Sequence, residues 1–133
     1  MARIRRVGLL VAAGVLGLGV LPTSAAPQVK VQASDFQFCA GGAAACTPTD
    51  SSTTTVKRGT RVTWVYTDHA CDVIVPCPGH NVIFANGSGE KTLYKTQGAT
   101  LFSMVFRKAG TYSYWCGAHK SFGMVGTVVV TKR

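Results

Sequence analysis

Cys116, His119 and Met124 lie within nine residues of one another, in the run Tyr114-Trp115-Cys116-Gly117-Ala118-His119-Lys120-Ser121-Phe122-Gly123-Met124. The run gathers a thiolate, an imidazole and a thioether in one short loop. Thiolate and thioether are soft donors that suit Cu(I), and imidazole suits either copper oxidation state. Two imidazoles, one thiolate and a weak axial thioether form the trigonal arrangement used for copper electron transfer. The loop supplies all of that set but one imidazole. His80, in Pro78-Gly79-His80-Asn81-Val82-Ile83-Phe84, is the natural source of the second, because it stands where a strand begins.

Four positions are thus expected to bind one copper ion: His80, Cys116, His119 and Met124. The two segments resemble the cupredoxins (type 1 blue copper proteins), nearest to plastocyanin, pseudoazurin and halocyanin. In that family a His-Asn-Val segment gives the first ligand and Cys-x₂-His-x₄-Met near the C-terminus gives the others. The resemblance runs from about Val29 to Val130. It implies a single-electron carrier rather than an enzyme, with Asn81 tying the two ligand-bearing segments together. It also implies that His119 is the exit for the electron, framed by Gly79, Gly117, Ala118 and Phe122.

Other residues able to do chemistry carry less. His69 lacks the strand context of His80 and reads as a surface histidine, whereas Met104 and Trp64 read as core. Five cysteines are an odd set. In an exported protein four of them pair, which leaves Cys39, Cys46, Cys71 and Cys77 for two bridges once Cys116 is a ligand. Local pairs, Cys39 with Cys46 and Cys71 with Cys77, are favoured because each closes a small loop; the crossed pairing remains open. Each bridge contributes roughly 2 to 3 kcal/mol by restricting the unfolded chain. A zinc site made of these four is disfavoured, since neither local pair has metal-ligand spacing.

The elements that must hold the ligands read as β throughout. Arg61–Tyr66 alternates, with Val62, Trp64 and Tyr66 on one face. Thr100–Phe106 also alternates, and Thr111–Cys116 and Val125–Thr131 enter and leave the ligand loop. Val29–Ala33 and Thr53–Lys57 read as edge or half-buried strands, and no amphipathic helix is evident. Short strands with regular turns favour a β-sandwich. The resemblance narrows this to the all-β, two-sheet Greek-key sandwich, the cupredoxin barrel.

The chain has 133 residues. Residues 1–26 follow the order of a secretory signal peptide: Arg3, Arg5 and Arg6, an apolar stretch from Val7 to Leu21, then Pro22-Thr23-Ser24-Ala25-Ala26. The apolar stretch is short for a membrane span, so no stable membrane anchor is expected. Residues 27–133 then form one plastocyanin-like domain, a monomer located in the periplasm, at the cell surface or outside the cell.

The formal charge of +9 becomes +6 without the three leader arginines. The basic residues are scattered, and no nucleic-acid motif is present. Unclustered charge of this kind steers association, here toward an acidic redox protein meeting the His119 patch; solubility alone accounts for it equally well. Copper delivery, the alternative function, calls for many labile Met and His ligands, and the chain has three of each. An oxidase or nitrite reductase needs a second copper centre, for which a single ligand set leaves no residues.

Overall fold

The computed structural model describes residues 25–41, 46, 52–68 and 78–132. Among the described residues, nine strands form two sheets. One sheet has the order β2 (Gln37–Ala40), β1 (Gln28–Ser34), β4 (Arg61–Tyr66), β7 (Thr100–Val105). The other has the order β3 (Thr53–Lys57), β9 (Val125–Thr131), β8 (Gly110–Trp115), β5 (His80–Phe84), β6 (Gly89–Tyr94). β1 runs parallel to β4 and β3 parallel to β9, while the remaining pairs are antiparallel. This is the all-β sandwich expected from the strand pattern. Among the described residues the one helical element is a 3₁₀ turn, Lys120–Phe122, and no helix is long and apolar enough to cross a membrane.

The alternation in β4 works as the residue types require: Val62, Trp64 and Tyr66 are buried and Arg61, Thr63 and Val65 are not. The Trp64 ring meets Phe84 at 5.5 Å and Tyr114 at 5.1 Å, both edge-on, and so joins the two sheets. Gly126 lies opposite Tyr114 in the β8–β9 register. A Cβ there would collide with the Tyr114 ring, so glycine is what lets that ring lie flat over β9.

Of the two readings offered for β1, edge or half-buried, the structure shows the second: β2 pairs outside it and its last four residues are buried. Two strands, β2 and β6, have no counterpart in the sequence reading. β2 itself, four residues long, is too short to show a period, and β6 carries Glu90, Lys91 and Thr92 on a mostly exposed edge where no alternation is enforced. The β1–β2 hairpin turns through Asp35 and Phe36, both with positive φ (47° and 64°). A two-residue turn with that geometry matches strand twist, but the left-handed region is unusual for a bulky aromatic.

Cys39 and Cys46 are bridged, as the local pairing requires, and among the described residues Cys116 is the cysteine outside a disulfide. The expected leader (1–24 of it), His69, Cys71 and Cys77 lie outside the described residues.

Candidate metal centre

β5 and the loop after β8 bring the four expected residues to one end of the sandwich. His80, the first residue of β5, is fully buried. Cys116 directly follows β8, and Met124 directly precedes β9; both are also fully buried. The loop between them is closed by its own backbone. Cys116 N–H donates to Met124 C=O (3.1 Å), Met124 N–H donates to His119 C=O (3.2 Å), and His119 N–H donates to Cys116 C=O (3.2 Å). Gly123 in the left-handed conformation ends the 3₁₀ turn and returns the chain to β9.

The three nitrogen and sulfur donors converge. His80 Nδ1 and His119 Nδ1 are 3.2 Å apart, Cys116 Sγ is 3.4 Å from His119 Nδ1, and Cys116 Sγ is 3.9 Å from His80 Nδ1. The point equidistant from all three lies about 2 Å from each, close to the roughly 2.0 to 2.3 Å that a metal such as zinc makes to imidazole and thiolate. Without metal these atoms share hydrogen bonds; around a cation all three lone pairs can face the same point. The donor set therefore fits copper, with the buried Met124 thioether at the end of the same loop.

Asn81 occupies the role expected of it. Its Oδ1 accepts from Gly117 N–H at 2.6 Å and its Nδ2 donates to Lys91 C=O at 2.9 Å, so one buried amide joins β5, the ligand loop and β6. A bulge makes this reach feasible. His80 pairs with Tyr94 but Val82 with Glu90, so β6 carries extra residues opposite Asn81 and turns the Lys91 carbonyl toward it. Gly117 leaves room for this contact, since a Cβ would lie 2.9 Å from Ile83 Cδ1 and 3.3 Å from the Asn81 amide and would crowd both.

The two imidazoles have opposite surroundings. His80 Nε2 lies 2.9 Å from Asp68 Oδ1, with both side chains buried. Tyr66 O–H donates to Asp68 Oδ2 at 2.9 Å and lies 3.0 Å from Pro78 C=O, while Asp35 N–H donates to Asp68 Oδ1 at 2.9 Å. In the metal-free chain burial opposes charge on His80, but the hydrogen bonds to Asp68 and Cys116 outweigh it and raise its pKa to about 9. Burial likewise opposes ionisation of Asp68, and the contacts with His80, Asp35 and Tyr66 hold its carboxyl below the usual range. For Cys116 burial is overcome by the hydrogen bond from His80 and by backbone N–H groups, which lowers the thiol. His119 is lowered by burial and then by the positive charge of His80.

His119 is half-exposed. Phe36 meets it edge-on at 4.7 Å and packs on Phe122 at 5.8 Å. Phe36 and Phe122 are 43% and 74% exposed, so an apolar rim surrounds the imidazole at the surface. Gly117, Ala118 and Phe122 belong to this exposed region as expected, but Gly79 does not: it is buried beneath Leu93 and Lys95 of the edge strand and its continuation. Phe36 takes its place. The sequence reading missed Phe36 and the ligand-side role of Asp68, because both reach the site from the other sheet. Lys120 Nζ sits 3.7 Å over the Trp115 ring, beside the rim.

The sequence pattern of the copper binding proteins, plastocyanin/azurin family, matches residues 48–131. A plastocyanin of Scenedesmus fuscus is 32% identical over 90 residues, covering 61% of this chain and 84% of that protein. Among solved structures, amicyanin from Paracoccus versutus aligns with a TM-score of 0.52 at 22% identity, over 84% of this chain and 86% of that one. Oxidized plastocyanin from Dryopteris crassirhizoma gives 0.52 at 23% identity, over 78% and 99%. The two structures share the fold. The chain belongs to the plastocyanin/azurin family of copper binding proteins, the cupredoxins, whose cofactor is copper.

Proposed function

We propose that this protein is an exported carrier that passes single electrons between redox protein partners through one type 1 copper ion held by His80, Cys116, His119 and Met124. The convergence of His80 Nδ1, His119 Nδ1 and Cys116 Sγ around one point carries the reading. Bound copper would supply a one-electron Cu(II)/Cu(I) couple. The chain's own part is to keep the donors still. Cys116 and Met124 are pinned at strand ends and cross-bonded through their backbones, and Asn81 ties the loop to β5 and β6. Donors that do not move between oxidation states keep reorganisation small, and the buried apolar surroundings help to set the potential.

His119 offers the route out. It is the half-exposed member of the set, and its apolar rim of Phe36 and Phe122 allows a partner to approach closely. Lys120 and the net basic charge favour an acidic partner, with association that weakens as salt screens exposed charges. The leader-like residues 1–26 and the Cys39–Cys46 bridge support export to an oxidising compartment; the proposal takes the exported domain as a monomer without a membrane anchor.

The test is repeated reduction and reoxidation of the copper-loaded protein, followed by voltammetry and metal analysis. A reversible one-electron wave with copper retained is expected, and Met124→Gln should keep copper while shifting the potential, since an axial thioether mainly tunes energy. Release of copper on reduction would instead indicate delivery.

A further inference from the structure

The side of His80 facing away from the metal centre meets a buried negative charge. Asp68, from the end of β4 in the opposite sheet, approaches His80 Nε2 at 2.9 Å with its carboxylate almost fully enclosed. That carboxylate is well solvated by protein: Asp35 N–H reaches Oδ1 and Tyr66 O–H reaches Oδ2. Enclosing a carboxylate costs several kcal/mol unless it is hydrogen-bonded and paired, and here it is both. When Nδ1 is given to a metal, His80 is neutral, and Nε2 carries the remaining proton and donates a hydrogen bond to Asp68. Such an outer partner fixes the tautomer and orientation of a ligand imidazole and raises its basicity.

We propose that Asp68 is a positioning residue of the metal centre, whose buried carboxylate fixes His80 as the Nδ1 donor and, through its negative charge, favours Cu(II) over Cu(I). The inference rests on the copper reading above and adds the residue that sets the balance between the two oxidation states. It also links that balance to the surface. The oxygen that meets His80 holds the N–H of Asp35, which lies next to Phe36 in the β1–β2 turn, so the same carboxylate anchors the turn that places Phe36 against His119.

Asp68→Asn tests this with little change in shape. The amide keeps an oxygen for Asp35 N–H and His80 Nε2–H but removes the charge. The variant should stay blue, while its affinity for Cu(II) falls about tenfold or more, the size of effect outer-partner substitutions have on metal affinity, and its affinity for Cu(I), which gains less from a negative charge, changes little. For a one-electron couple this raises the reduction potential by about 59 mV per tenfold. In the wild-type Cu(I) form, NMR should show a slowly exchanging Nε2–H on His80 and none on the half-exposed His119. An unchanged potential in a blue Asp68→Asn protein overturns the proposal. So does the absence of a protected His80 Nε2–H, which can be read on the wild type even if the variant does not fold. A wild-type protein that takes up no copper overturns the copper reading itself, a separate result.

Discussion

His80 and His119 place their Nδ1 atoms 3.2 Å apart, yet they are held in opposite ways. His80 belongs to a strand and is fully buried, its far nitrogen on Asp68 and its ring over Tyr66 at 5.4 Å. His119 belongs to a loop and is half-exposed, with aromatic edges for neighbours. The contrast separates two tasks that one donor set has to perform. On the reading proposed above, the strand side fixes geometry and charge, while the loop side presents to solvent the edge proposed as the electron's exit.

Removing each imidazole should expose this difference in the metal-free protein. His80→Ala leaves the Asp68 carboxylate buried without its charged partner and is expected to cost about 3 kcal/mol or more. His119→Ala removes only a partly exposed ring and is expected to cost less than about 1 kcal/mol. Chemical denaturation of both variants without copper measures the two values. Equal costs would mean that the two imidazoles are held alike.

Asn81→Ala comes next. It leaves the Gly117 N–H and the Lys91 C=O without their buried partner, at about 2 kcal/mol. Because it also frees the ligand loop from β5, copper affinity should fall along with the denaturation midpoint. A loss of stability with unchanged copper affinity would mean that the loop is held by its own backbone bonds alone.

Phe122→Glu should have the smallest effect on the molecule and a selective one on function. A residue 74% exposed contributes little to folding, so stability should change by less than about 0.5 kcal/mol and the visible spectrum should be unaltered. Electron transfer to a protein partner, followed by stopped flow, should nevertheless slow. An unchanged rate would move the exit away from His119.

What could be read in advance followed from distance along the chain. Cys116, His119 and Met124 are local to one another, so their spacing alone announces the loop, and the alternation of β4 marks Val62, Trp64 and Tyr66 as core because one face of that strand is enclosed. His80 needed a further cue, its position at a strand start beside Asn81. Asp68 and Phe36 gave no such cue. Asp68 stands twelve residues before His80 and acts only once β4 faces β5 across the sandwich. Phe36 depends on a turn that holds a bulky residue at positive φ, against its own preference, and on a four-residue strand too short to show a pattern. Gly79 erred in the other direction: its neighbour His80 drew it into the surface rim, but the edge strand β6 covers it.

On the proposed reading, three converging donors and Met124 form a single type 1 copper centre. Titration of the metal-free protein with Cu(II), followed by visible absorption, decides this. An intense blue band from thiolate-to-copper charge transfer is expected, saturating at one equivalent and missing in Cys116→Ser. A colourless or pale complex, saturation beyond one equivalent, or an intense blue band that persists in Cys116→Ser would contradict it.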